Sequence, residues 1–398
     1  MKIIHTSDWH LGHILYKYSR EEEQSDMLNQ MVELVKNHKP DAFLISGDVY
    51  DTMQPSASVQ RMFTDALVKI HEAHPRMHII CIAGNHDSGS RHMIFHTPWK
   101  ALNVHMVGSI SKESNIEEYI FRIEDKGYIA AVPFVADRFM PKDLYTDIYD
   151  TIAKENKQQL PVFLMAHLAV ANSDFRGHEM SSSENIGGLN CQEADTFGDG
   201  YDYVALGHIH KQQKLDSDGH ICYSGTPIAI SFDEVYSGNK HGVMLVECNG
   251  HKREVASTLL PIRNIRPLIN IPHNGHTDWE DAKKKLCEFC NDTDNIPAYI
   301  RLNVEVDDYL PTGAINEINH IIQGRACRFC LINSKRKEQT SNTKTKTFTP
   351  SEFKTLDVTE VAQMWIEAKG YTFDSRMKEI IEEVKQDLKM NPDKEQHQ

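Results

Sequence analysis

Five short clusters of histidine, aspartate and asparagine punctuate the first half of the chain. They are Asp8-x-His10, Gly47-Asp48-x-x-Asp51, Gly84-Asn85-His86-Asp87, Ala166-His167 and Gly207-His208-x-His210. Each alone is a weak signal, because a lone histidine after a strand is more often a hydrogen-bonded core residue than a ligand. Five in order, each following a strand-like run, point to a metal centre at the C-terminal strand ends, where α/β folds bind ligands. Imidazole, carboxylate and amide oxygen together suit Mn²⁺, Fe²⁺ or Zn²⁺, whereas an all-oxygen set would suit Mg²⁺ or Ca²⁺. Residues 8 and 10 leave an extended strand end on the same side, as do 208 and 210, so each pair can bind one ion. Asp48 can bridge two ions, and glycines 47, 84 and 207 allow tight turns that bring backbone close to the site.

Two metals roughly 3.5–4 Å apart are a standard device for phosphoester hydrolysis. The leaving alkoxide still needs a proton. His86 stands beside the ligand-type Asn85 and beside Asp87, which could orient its ring, and is read as general acid or transition-state stabiliser. The alternative makes His86 a ligand and Asn85 structural.

Elements that would position these clusters are legible around them. Lys2–His5, Ala42–Ser46, His78–Ala83 and Val162–Ala166 read as buried strands. Between the first two, Met27, Leu28, Met31, Leu34 and Val35 share one helical face; between the next two, Ser56 caps a helix with the stripe Val59, Met62, Phe63, Ala66, Leu67 and Ile70. Strand–helix–strand order predicts a layered α/β domain. Tyr203–Leu206, Ile221–Ser224 and Val243–Glu247 are separated by turns, so the domain's second half is expected to be strand-rich: two packed sheets with helices outside.

Near Pro261 the texture changes. Residues 262–334 alternate strand-like Ile265–Ile271, helical Trp279–Cys290, strand-like Ala298–Val306, helical Ala314–Ile322 and strand-like Arg328–Asn333, a small α+β unit with its own core. Residues 335–349 are polar, basic and poor in apolar side chains, and read as a flexible linker. Residues 350–398 hold two amphipathic helical stretches, Val358–Lys369 and Asp374–Met390. Such a hairpin at the end of a linker either docks on a partner or packs back on its own chain.

The chain has 398 residues, so more than one domain is the sensible prior, and its net charge is −14. That balance argues against a protein that grips nucleic acid by bulk electrostatics alone, though not against a nuclease whose metals neutralise phosphate locally. Histidine is unusually abundant, at 22. The N-terminus shows no signal-peptide pattern and no apolar run is long enough to span a bilayer, so a cytoplasmic location is expected. Two Cys-x-x-Cys pairs, Cys287/Cys290 and Cys327/Cys330, raise the question of zinc. Their separation and their placement, one at a helix end and one in a strand, favour buried reduced thiols.

The motif series resembles the calcineurin-like metallophosphoesterase superfamily over the first 260 residues. Asp8-Trp9-His10-Leu11-Gly12, Gly47-Asp48-Val49-Tyr50-Asp51, the run Tyr203–His210, and Tyr223-Ser224-Gly225-Thr226-Pro227 with Ser231-Phe232 further resemble the SbcD family of bacterial nuclease subunits. The resemblance implies a two-sheet metallophosphoesterase sandwich flanked by helices (1–261), a small α+β capping domain (262–334), and a C-terminal helical hairpin (350–398) that binds an SMC-like ATPase of the SbcC type. It implies one ion held by Asp8, His10, Asp48 and His210, a second held by Asp48, Asn85, His167 and His208, and His86 as proton donor. Archaeal and eukaryotic relatives carry a histidine where this chain has Asp51, so Asp51 is read only as a hydrogen-bond acceptor behind the ligands. Also implied are two divalent ions, Mn²⁺ above all, 3′→5′ exonuclease action on duplex DNA ends, and endonuclease action on hairpins. A homodimer is implied as well, with the Ser56–Ala73 helix and the Arg91–Trp99 segment as candidate contacts. The rival readings are a phosphodiesterase for nucleotides or other small phosphoesters using the same metals, and a non-catalytic DNA-end tether.

Overall fold

The computed structural model describes residues 1–337 apart from 95, 112, 178–190, 253 and 290–295. Beyond 337 it describes 357, 359, 361–363, 366, 373–374, 376–378, 381 and 385. The chain divides into two compact units, Met1–Lys337 and Glu338–Gln398.

The first unit opens with β1 (Lys2–Thr6), the short hairpin β2 (Ile14–Leu15) and β3 (Tyr18–Ser19), then α1 (Glu21–His38) and β4 (Ala42–Ser46). Next come α2 (Ala57–Ala73), β5 (His78–Ile82), the single-turn helices α3 (Gly89–Met93) and α4 (His96–Lys100), and β6 (Val104–Val107). β7 (Ile120–Ile123), β8 (Gly127–Ala131), α5 (Leu144–Glu155), β9 (Val162–His167) and β10 (Tyr203–Gly207) follow. β11 (Gln213–Lys214), β12 (Ile221–Tyr223), α6 (Phe232–Tyr236), β13 (Gly242–Cys248) and β14 (Val255–Pro261) complete this part.

These strands form two six-stranded sheets, ordered β14-β13-β1-β4-β5-β6 and β11-β12-β10-β9-β8-β7. β1, β4, β5 and β6 run parallel in the first sheet, and β8, β9, β10 and β12 run parallel in the second. Alternation decides which face each side chain serves. Ile3, Ala42, Leu44, Ile80 and Ile82 face the second sheet, where Ile129, Phe163, Met165, Tyr203 and Ala205 meet them. Ile4, Phe43, Ile45, Ile79 and Cys81 face the opposite way, under Met27, Met31, Phe63 and Leu67 of α1 and α2. Both faces of the first sheet are therefore buried, which is why its parallel strands read as continuous apolar runs. Each large apolar side chain so buried contributes about 1.5–3 kcal/mol. Ser56 caps α2 as expected, its hydroxyl accepting from the Val59 amide at 3.4 Å.

Residues after Pro261 build a smaller parallel sheet, β15-β16-β17, from β15 (Leu268–Ile271), β16 (Ala298–Val306) and β17 (Cys327–Arg336), with α7 (Trp279–Phe289) and α8 (Ala314–Ile322) on one face. Ile300, Leu302 and Val304 pack there against Trp279, Ala282, Leu286, Ala314 and Ile318. β15 starts three residues later than the expected Ile265, because Pro267 has no amide to donate and Arg266 turns toward Glu22 and Glu23. β17 continues to Arg336, beyond the Ser334 boundary expected from composition, since its pairing with β16 persists through Val306↔Arg336. Cys287, Cys327 and Cys330 carry free thiols, and Cys290 lies outside the described residues.

In the second unit the expected linker and most of both expected helices lie outside the described residues. Residues 359, 361–363, 366, 376–378, 381 and 385 are helical. Lys385 Nζ donates to the Asp357 carboxylate at 2.9 Å. Among the described residues no helix is long and apolar enough to cross a membrane.

Candidate metal centre

All five sequence clusters meet at one seam. Asp8 and His10 follow β1, Asp48 follows β4, and Asn85 and His86 follow β5, three adjacent strands of the first sheet. His167 ends β9, while His208 and His210 follow β10, adjacent strands of the second. The C-terminal edges of the two parallel sets thus face each other across the site. Contact at the seam is close: the Ser46 hydroxyl donates to the Ala205 carbonyl at 3.0 Å.

Two groups of potential ligand atoms result. One nitrogen or oxygen each from Asp8, His10 and His210 lie within 4.8 Å of one another, and the same holds for Asp48, His167 and His208. All six residues are buried. Asp48 Oδ2 stands 3.3 Å from His167 Nε2 and 3.8 Å from His10 Nε2, so this carboxylate borders both groups. Asn85 Oδ1 joins the second, 3.0 Å from His167 Nε2 and 2.9 Å from His208 Nδ1.

The convergence does not arise from strand alternation, as the spacing of two residues suggested. β1 ends at Thr6, and Asp8, His10, Asp48 and His208 all have positive φ, at 53°, 44°, 49° and 102°. A left-handed residue on each side of Trp9 turns both polar side chains to the seam while Trp9 enters the core beneath α1 and α2. Such conformations cost on the order of 1–3 kcal/mol each and persist only where the surroundings enforce them. Here the ladder of backbone bonds from Asp8 N–H to the Gly47 carbonyl (3.0 Å) and from His10 N–H to the Asp48 carbonyl (3.1 Å) does so. The glycines serve close approach, as expected. A Cβ on Gly84 would sit 2.1 Å from Asp48 Oδ1, and one on Gly207 would sit 1.9 Å from the Ser46 carbonyl oxygen.

The imidazole rings of both groups are held from behind. His167 Nδ1–H donates to the Ser46 carbonyl at 2.8 Å, which leaves the Nε2 lone pair for the site. His210 Nδ1 meets Glu234 Oε1 at 3.1 Å, and His10 Nδ1 faces Asp51 Oδ1 at 3.3 Å. The Asp8 carboxylate accepts from the Ser7 hydroxyl and from the His208 amide, while Ser7 also meets Ser224. Partners of this kind orient ligands and raise their basicity. Glu234 was not among the residues expected at the site. Its only local signal is the Ser231-x-x-Glu234 spacing at the start of α6, where the Ser231 hydroxyl accepts from the Glu234 amide.

Burial pushes the Glu234 carboxyl up to about 8, against the bonds from Thr226 and Ile230. Burial likewise lifts Asp8 to about 6. Desolvation opposes charging of His10 and His167, but Asp51 and Asp48 beside His10, and Asp48 beside His167, hold both near 9. Desolvation would raise Asp48, yet the neighbouring imidazoles hold it well below the usual carboxylate range. Protons and divalent ions compete for the same lone pairs. His10 Nε2 is buried with no hydrogen-bond partner among the described residues, an orphan that a cation would satisfy. The donor set and this orphan fit divalent metal.

His86 differs from its neighbours: it is exposed, with its ring 5.0 Å from that of His10. Its amide donates to Asp48 Oδ1 at 2.9 Å and its Nδ1–H to the Asp51 carbonyl at 3.0 Å. The ring is therefore oriented by Asp51 backbone, not by Asp87 as the sequence suggested. The Asp87 carboxylate instead accepts from the amides of Gly84, Val49 and Tyr50 and faces His92 Nε2 at 3.5 Å. It fastens the loop after β5 to the loop after β4.

Residues 1–212 match the Calcineurin-like phosphoesterase family. The chain is also similar to three proteins that are each named as the SbcD component of the nuclease SbcCD. It is 30% identical to that of Rhodobacter capsulatus, over 69% of this chain and 72% of the relative. With that of Escherichia coli K12 it shares 26% identity over 78% and 79%, and with that of Bacillus subtilis 27% over 80% and 82%. The two buried ligand groups thus belong to a hydrolase of ester bonds, and the chain is a member of the calcineurin-like phosphoesterases and, within them, of the SbcD nuclease family.

Proposed function

We propose that this protein is the nuclease subunit of a DNA double-strand-break repair complex, hydrolysing DNA phosphodiesters with two divalent ions. The observation that carries the reading is the pair of buried groups of ligand-type side chains, with Asp48 of one bordering His10 of the other and an exposed histidine beside them. Asp8, His10, Asp48 and His210 would hold one ion, and Asp48, Asn85, His167 and His208 the other. Mn²⁺ fits the mixed nitrogen and oxygen donors. Such ions polarise a phosphoryl group and lower the pKa of bound water. The chain's own contribution is orientation and proton supply. Ser46, Glu234 and Asp51 aim the imidazoles, and the seam keeps bulk water from their ligand atoms. With Nδ1–H committed to the Asp51 carbonyl, the His86 imidazolium offers its Nε2 proton to the leaving oxygen of the scissile bond.

The finer reading follows the family. It comprises 3′→5′ exonuclease action on duplex ends, endonuclease action on hairpins, a homodimer, a cytoplasmic location, and an SbcC-type ATPase partner bound through residues 350–398. Residues 262–334 serve as the capping domain. One assay set tests it: hairpin DNA, linear duplex and a cyclic nucleotide in Mn²⁺, with and without the cognate ATPase. Cleavage of both DNA substrates is expected, with His86→Ala retaining both ions but losing about 100-fold or more in rate. Turnover of the cyclic nucleotide alone would overturn the DNA assignment, and wild-type cutting by His86→Ala would overturn the proton-donor role.

A further inference from the structure

Helix α6 is a single turn between the metal centre and the small sheet. Its inward residue, Glu234, is fully buried. One carboxylate oxygen meets His210 Nδ1 at 3.1 Å, and the other accepts from Thr226 Oγ1 at 2.9 Å and the Ile230 amide at 3.3 Å. Its outward residues are gripped by the small sheet. Arg301 of β16 donates from Nη1 to Asp233 Oδ1 at 2.5 Å and from Nε to Asn270 Oδ1 at 2.6 Å. Asn270 of β15 donates in turn to the Phe232 carbonyl at 3.2 Å. The Arg301 guanidinium also lies 5.5 Å from the Phe232 ring centre and 5.7 Å from that of Tyr236. Arg301 and Asn270 are both buried, at 5% and 3% exposure.

A lone turn of helix has no cooperative stability of its own, so its place is set by what holds it. Two of its holders are charged or amide side chains from strands that contribute no ligand. A buried guanidinium demands partners, and this one finds them on α6 and on Asn270, the side chain that bonds α6 beside it. We propose that Arg301 and Asn270 are positioning residues for the first metal: they fix α6, α6 fixes Glu234, and Glu234 sets the ring of His210. The small sheet is thereby coupled to the affinity of one ion, the one at Asp8, His10 and His210. Linkage makes the coupling reciprocal, so that ion should stiffen the seat of the small sheet. The proposal rests on reading those three residues as ligands.

The test is Mn²⁺ titration of the full chain by calorimetry, with Tm recorded for every variant and His210→Ala as reference. Arg301→Met and the half-exposed Asp233→Ala should each weaken one ion by about 10- to 100-fold and leave the other near wild type. Glu234→Gln should weaken the same ion, and Glu234→Gln with Asp233→Ala should fall short of the two effects combined. Amide hydrogen exchange in 232–236 and 268–271 should slow on Mn²⁺ addition in the wild type and not in His210→Ala. Asp233→Ala contacts neither ligand nor core, so it answers the question even where Arg301→Met fails to fold. Folded Asp233→Ala and Arg301→Met with two wild-type ions would overturn the coupling, as would equal loss of both ions or full additivity with Glu234→Gln. Should His210→Ala itself bind two ions normally, the ligand reading falls instead, which separates the two failures.

Discussion

Gly207→Ala is a single added methyl aimed at the seam. Gly207 has no positive φ, so the new residue is conformationally acceptable and the effect is purely steric. Its Cβ would stand 1.9 Å from the Ser46 carbonyl oxygen, and opening that contact to the 3.0 Å below which side-chain carbons are essentially never found moves one strand end by at least 1.1 Å. If β4 yields, Ser46 leaves the His167 Nδ1–H it accepts at 2.8 Å. If β10 yields, His208 and His210 travel with it. Either way a ligand shifts by about 1 Å, a displacement that costs on the order of 100-fold in rate, while overpacking takes about 1–3 kcal/mol from stability. The assay is Mn²⁺-dependent hydrolysis of bis(4-nitrophenyl) phosphate, a small diester that needs no DNA-binding surface, beside a Mn²⁺ titration and a thermal melt. Gly238→Ala is the control: φ is +69° with nothing within 4 Å of the added carbon, so about 1–2 kcal/mol of strain is expected and no change in rate. A folded Gly207→Ala protein with wild-type rate and two ions at wild-type affinity would refute the view that the closeness of the sheets sets the ligands.

Asp48→Asn should abolish tight binding of both ions, whereas Asp8→Asn should chiefly weaken one; calorimetric stoichiometry distinguishes them, and a two-ion Asp48→Asn would remove the shared carboxylate from the scheme. Ions that bind only the folded chain stabilise it by about 2.7 kcal/mol each at 100 times Kd. Chelation should therefore lower Tm in the wild type and leave Asp48→Asn unmoved. His5 sits buried between the Tyr203 hydroxyl (3.0 Å) and the Leu206 carbonyl (3.2 Å), and burial lowers it from 6.5 to about 3, with the carbonyl bond opposing. The unfolded chain takes that proton first as pH falls, so stability present above 6.5 declines toward pH 3 by up to about 1.4 kcal/mol per pH unit. Urea midpoints at pH 7 and 5 should show a shallower decline in His5→Gln, and an unchanged slope would exclude this histidine as the cause.

Much of the site was legible because its residues carry local signals: ligand-type side chains at strand ends, with glycine where backbone must come close. The span of β4, Ala42–Ser46, and those of β16 and α8 follow directly from apolar runs between polar boundaries. Relations between distant segments were not legible. Nothing near Glu234 announces that it stands behind His210, because that contact is made by the packing of α6 and not by spacing. Asp87 looked like the partner of His86 because they are neighbours in sequence, yet its carboxylate turns the other way to collect three amides. α5 escaped notice for a local reason: the residue before it, Asp143, has φ 59° and makes no side-chain capping bond.

The seam also orders events in time. Asp8 and His208 bond each other across 200 residues, and β1 lies between β4 and β13, the latter pairing with it through residues 244–247. Contacts of such sequence separation form late, because loop closure must precede any reward. A half-folded chain therefore exposes scattered aspartates and histidines that hold ions weakly, while the closed seam presents all of them at once. Metal uptake is therefore expected to follow folding, the reverse of small zinc modules in which the ion drives the fold. Protein refolded in chelator should recover both sheets and load afterwards, and the ion it carries will reflect the last solution with which the finished fold was equilibrated.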